Sequence, residues 1–181
     1  MNSKENAGSA LPILFLVVMI DMIGFGIVIP FLTYFIEDLA SIQGVMEIGL
    51  WVGLMMVSYS AAQFLFSPLW GSLSDRLGRK PIILTGLVGN TVFFAVFGIS
   101  TSLLMALVAR FCAGAFNANI AVAKAYIGDI SDNTNLAKRM GLIGAAFGVG
   151  FTVGPFIGGE FSSPAEKWSI FTGTIFDTHP Y

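Results

Sequence analysis

Two ionisable side chains interrupt long apolar runs in this sequence, and they set the chemistry to be explained. Asp21 lies within the run Leu11–Ile36 and Arg110 within Leu103–Ile127. An acid or base among so many apolar residues is costly to hold there and marks a path for protons or small solutes. A second concentration of charge is Gly71-Ser-Leu73-Ser-Asp75-Arg76-Leu-Gly78-Arg79-Lys80-Pro81, one acid and three bases with two glycines between apolar runs. Enzyme chemistry has no comparable material. His179 is the sole histidine and falls in a polar tail, and Cys112 is the sole cysteine, so no disulfide or Cys–His pair can form within the chain. Neither a phosphate-cradling loop nor a metal-ligand spacing occurs. The reading is a non-enzyme with no cofactor, and any transport it performs is secondary, without an ATP site.

Spacing relates these residues to one another. Asp21 is ten residues into its run, about 15 Å deep at 1.5 Å per residue, and Arg110 lies about 12 Å from the opposite side. Within a hydrocarbon core of about 30 Å these depths nearly coincide, so the two could pair, either as a working couple or as a structural bridge. Arg110, Asn117 and Lys124 are seven apart and share a helical stripe with Gly114 and Ala121. Such a polar stripe faces a bundle interior or a water-filled path, because lipid cannot satisfy it. Tyr59, Gln63 and Ser67 form a similar row, which suits hydrogen bonds between helices equally well. Gly144 and Gly148, and Gly150, Gly154 and Gly158, make flat faces for close helix contact, and Pro155 should bend its helix. Asp129 and Asp132 are placed to answer the bases around Gly78.

The elements that carry these residues follow from composition. Hydrophobic residues are 55% of the 181 and charged residues 11%, against about 25% charged in an average soluble domain; mean hydropathy is +0.81. The net charge of −2 implies no nucleic-acid partner. Five runs are long and apolar enough to cross a bilayer, near 11–36, 48–70, 81–99, 103–127 and 140–161. The polar start, 1–10, does not read as a signal peptide. Lys4, Arg76, Arg79, Lys80, Lys138 and Arg139 fall on one side, while the other side holds Lys167 with Glu37, Asp38 and Glu47. By the positive-inside rule the N-terminus and the Gly71–Pro81 hairpin are cytoplasmic. Residues 162–181 read as a polar extracytoplasmic tail, with no sixth apolar run. The expectation is an integral, multi-pass protein of the inner cell membrane.

The Gly71–Lys80 stretch resembles the loop between helices 2 and 3 of the major facilitator superfamily at each defining position. Gly150-Phe-Thr-Val-Gly154-Pro155-Phe-Ile-Gly158-Gly159 resembles the antiporter motif of that superfamily's drug:proton exchangers. Asp21-Met-Ile-Gly24-Phe-Gly26-Ile-Val-Ile-Pro30 is similar to the first helix of tetracycline and multidrug exporters. Arg110 with Gly114 resembles the helix 4 motif, although Ala106, Ala113 and Phe116 depart from it. The resemblance covers about Ser9 to Glu160. It implies an all-α membrane protein, the N-terminal bundle of a twelve-helix carrier, with five helices present and a C-terminal six-helix half missing. It further implies that Gly71, Asp75, Arg76, Gly78, Arg79 and Lys80 gate conformational change. Helix 5, with Gly150, Gly154, Pro155, Gly158 and Gly159, would face the second half, and Asp21, Arg110, Asn117, Lys124 and Gln63 would line the substrate and proton pathway. The function implied is proton-coupled efflux of drug-like or small metabolite substrates, driven by the proton gradient. The alternatives are a metabolite uptake facilitator and a truncated, non-transporting membrane protein.

Overall fold

The computed structural model describes the backbone of residues 3–161 and the side chains of 11–160. The Lys4 side chain and the tail with Lys167 and His179 lie outside the described residues. Six helices follow in chain order: α1 (Ser3–Gln43), α2 (Ile48–Leu77), α3 (Arg79–Gly98), α4 (Leu103–Phe116), α5 (Asn119–Ile130) and α6 (Leu136–Phe161). No strand occurs among the described residues. They supply five candidate membrane spans, with α4 and α5 sharing one, Leu103–Ile130. The fold class expected from the sequence is the one found.

Helix ends differ from expectation in ways local chemistry explains. α1 continues seven residues beyond Ile36 and stops at Gly44, whose φ of 66° suits glycine. There the Val45 N–H reaches the Ala40 carbonyl at 2.9 Å and the Gly44 N–H reaches Ser41 at 3.4 Å, the paired bonds of a Schellman end. α2 likewise runs past Trp70 to Leu77, because no breaker follows Gly71 until Gly78. The charged stretch is therefore not a loop. Its first seven residues are the last two turns of α2, and the reversal is made by Gly78 alone, at φ 97°. The fourth span is interrupted at Asn117 and Ala118.

Two apolar cores fill the bundle, one towards each end. Leu14 and Val18 of α1 meet Ile82 of α3, Val122 and Ile127 of α5 and Ile143 of α6 in the first. Leu32, Ile36 and Leu39 of α1 meet Met55, Phe97, Leu103 and Ala106 in the second. Between them lies a layer of buried polar side chains: Asp21, Asn90, Arg110, Asn117 and Asn119.

Glycines set which helices touch. α1 packs most extensively on α6, and α4 packs on α2 and α3. A Cβ on Gly154 would meet the Ile23 carbonyl at 2.7 Å and the Gly26 Cα at 2.9 Å, and one on Gly158 would meet the Phe31 ring at 2.7 Å. Gly150 faces the Met22 Cβ in the same way. Among the described residues, the partner of Gly150, Gly154 and Gly158 is thus α1. Gly144 and Gly148 have nothing within 4 Å of a built Cβ, and their face of α6 is open. Gly114 lies against the Tyr59 carbonyl, joining α4 to α2.

Candidate functional site

The polar layer is held by three helices converging on Asp21. Its carboxylate is 5% exposed and accepts from Asn119 Nδ2 at 2.8 Å on one oxygen and from Asn90 Nδ2 at 3.5 Å on the other. The expected pair with Arg110 does not form. Arg110 is fully buried, with its guanidinium 4.6 Å from the Tyr59 ring centroid, 5.6 Å from Phe97 and 6.0 Å from Phe94. None of its three guanidinium nitrogens has a hydrogen-bond partner among the described residues. The reason is azimuth, not depth. α4 turns Arg110 towards α2 and α3, where aromatic faces attract a cation, while α1 turns Asp21 towards α3 and α5.

The break in the fourth span is built into this layer. The end of α4 leaves carbonyls without intrahelical partners, and α2 supplies them. Trp70 Nε1 donates to the Ala115 carbonyl at 2.6 Å and Gln63 Nε2 to the Asn117 carbonyl at 3.2 Å. The Asn117 amide donates to the Tyr59 hydroxyl. The rows expected on the second and fourth spans therefore face each other here. Gln63, Ser67, Asn117, Ala121 and Lys124 all line one cavity of about 660 Å³, enclosed also by α1 and α6. Arg110 does not line it, so the single stripe expected from Arg110 to Lys124 is divided by the break. Asp21 opens instead onto a second, largely apolar cavity of about 620 Å³ between α1, α3 and the end of α6.

At the Gly78 end, Arg79 gathers the charged groups. Its guanidinium meets Asp75 at 2.7 Å, Asp129 at 2.8 Å and the Ser74 hydroxyl at 2.6 Å. Asp129 answers this base as expected, whereas Asp132 contributes its backbone carbonyl, which accepts from Asn135 and Leu136. Arg76 and Lys80 are exposed and form no ion pair among the described residues. Arg139 donates to the Ile130 carbonyl at 2.5 Å, closing α5 against α6.

Sequence reasoning passed over Asn90 and Asn119, the two residues that hold Asp21. The signal was present: each is a primary amide inside an apolar span, where a polar group needs an internal partner. Gly86 and Gly89 were passed over too, and they admit the side chains of Asn119 and Phe116 respectively against α3.

Comparison with known proteins adds to this geometry. The family model described as "Major Facilitator Superfamily" matches residues 14–174. The chain is 38% identical over 139 residues to Protein ZINC INDUCED FACILITATOR 1 of Arabidopsis thaliana, covering 77% of this chain and 29% of that protein. It is 36% identical over 153 residues to the class C tetracycline resistance protein of Escherichia coli, covering 84% and 38%. A probable peptide/nitrate transporter of Arabidopsis thaliana is 35% identical over 154 residues, covering 84% and 32%. The chain thus spans about a third of the length of the curated relatives it matches.

Proposed function

Since the chain belongs to the Major Facilitator Superfamily, a family of transporters, we propose that it forms the N-terminal part of a proton-coupled carrier exporting small organic molecules. The observation that carries this reading is Asp21, a buried acid near the middle of the first span held by two neutral amides. A carboxyl free of a permanent cationic partner can take up and release a proton without breaking an ion pair. Gln63, Asn117 and Lys124 offer hydrogen-bonding and charged contacts in the cavity they share, and a further set of helices would complete the substrate site. In this reading the Gly78 end is cytoplasmic, and the Asp75–Arg79–Asp129 cluster opens and closes with the carrier's two facing states. Tetracycline resistance proteins among the relatives favour a drug-like substrate and export. The plant relatives, one named as a probable peptide/nitrate transporter, favour metabolite transport as the second reading.

Substrate and proton then compete through opposite preferences for the two states, since a ligand shifts a conformational equilibrium only by binding one state better. The test is Asp21→Asn in the full-length carrier, with tetracycline as the first substrate tried. Uphill, pH-driven transport should be lost while downhill exchange persists, because asparagine mimics the protonated acid. Wild-type proton release on substrate addition by this variant would refute coupling at Asp21.

A further inference from the structure

Asn119 opens α5, and α5 exists as a separate helix because the fourth span breaks at Asn117 and Ala118. The Asn119 side chain is fully buried. Its Nδ2 donates to Asp21, while its Oδ1 has no hydrogen-bond partner among the described residues and rests over Gly86, where a Cβ would collide with it. A charged carboxylate only accepts hydrogen bonds, whereas a protonated carboxyl must also donate one. A lysine or arginine partner could serve only the first form, and a carboxylate partner could not donate to it. A primary amide carries one donor end and one acceptor end on the same carbon.

We infer that Asn119 is the positioning residue of the Asp21 carboxyl in both of its charge states. It donates through Nδ2 to the carboxylate and, turned end for end about Cβ–Cγ, accepts through Oδ1 from the protonated acid. Gly86 leaves room beside α3 for either end. Asn90, at 3.5 Å, is the weaker of the two contacts, beyond the usual range for N–H···O. The other ionisable groups facing this layer are Tyr59 of α2 and Arg110 of α4, which stack on each other. α3 presents Asn90 here, and α6 presents apolar side chains and glycine. Lys124 of α5 lines the other cavity. Asn119 thereby ties the charge of the first span to the break in the fourth. The inference rests on Asp21 being the residue that takes up the proton.

The test is infrared difference spectroscopy of the full-length protein in lipid, stepped in pH without substrate. The band of the protonated Asp21 carboxyl is identified by its loss in Asp21→Asn. Asn119→Leu, which matches the amide in shape and removes both hydrogen-bonding ends, should move that band to higher frequency. Asn119→Ala should do the same if the leucine variant does not fold. Asn90→Leu should move it less. A band unmoved by either Asn119 variant, or moved more by Asn90→Leu, overturns the inference. Absence of any Asp21 band between pH 4 and 9 overturns it as well. Because no substrate is added, the proposed transport function fails or stands separately: it falls if Asp21→Asn keeps pH-driven transport, whatever the band does.

Discussion

Gly154→Ala is the sharpest probe of the packing that holds Asp21 in place. The added Cβ would stand 2.7 Å from the Ile23 carbonyl oxygen and 2.9 Å from the Gly26 Cα. Both obstacles are backbone of α1, so no side chain can swing aside and the helices must part. Overpacking of this kind costs about 1–3 kcal/mol. Alanine also gains about 1 kcal/mol of helix propensity over glycine, which would mask part of the effect. Gly144→Ala removes that ambiguity, because it lies on the same helix with nothing within 4 Å of its Cβ. The difference between the two variants isolates the close approach. It should be about 1–3 kcal/mol, or roughly 5- to 150-fold in the unfolding equilibrium at 1.4 kcal/mol per tenfold. The assay is reversible unfolding of the full-length protein in mixed micelles, followed by tryptophan fluorescence. Variants equal within about 0.5 kcal/mol, the spread of substitutions away from packed sites, would refute the approach of α1 to α6.

Arg110→Met keeps the length of a buried side chain and deletes a cation with no hydrogen-bond partner among the described residues. A buried charge without a hydrogen-bonded partner is costly to hold, and Met leaves no carboxylate unpaired, so unfolding stability should hold or rise while transport falls at least about tenfold (about 1.4 kcal/mol). A large loss of stability would make Arg110 structural. Asp75→Asn and Asp129→Asn each remove one carboxylate from Arg79. These side chains are 63% and 56% exposed, so each ion pair is worth about 0.2–1 kcal/mol and membrane insertion should survive. Transport by Asp75→Asn should nevertheless drop strongly, and wild-type transport by it would refute the gating role.

The spans were legible because a bilayer-crossing helix needs about 20 apolar residues in a row, and composition alone carries that. The depth of Asp21 and of Arg110 was legible for the same reason, since rise per residue is fixed. Their facing was not. Which neighbour a side chain meets depends on how helices rotate against each other, and that is set here by Gly26, Gly114, Gly150 and Gly154, whose partners lie far away in sequence. The spacing of the last glycine row showed that something approaches closely, without showing that α1 does. The break at Asn117 and Ala118 carries no glycine or proline to announce it. It is held by Gln63 and Trp70 of α2, a tertiary cause that no local reading of the fourth span contains.

The packing also explains why one proton on Asp21 would matter to the whole bundle. α1 is clamped to α6 through Gly26 and the Gly150–Gly154–Gly158 row, while α4 is clamped to α2 through Gly114 and to α3 through Gly89. Contact between α1 and α2 or α4 is slight by comparison, so the bundle divides into an α1–α6 pair and an α2–α3–α4 group. The weaker bond from Asp21 to Asn90 of α3 crosses that division, and the stronger bond to Asn119 joins α1 to α5, which packs against both sets. A hydrogen bond to a charged group contributes about 1.5–3 kcal/mol. Two conformations that exchange usefully differ by only a few kcal/mol. Neutralising Asp21 would therefore change the energy between these helices by an amount comparable with the gap between states.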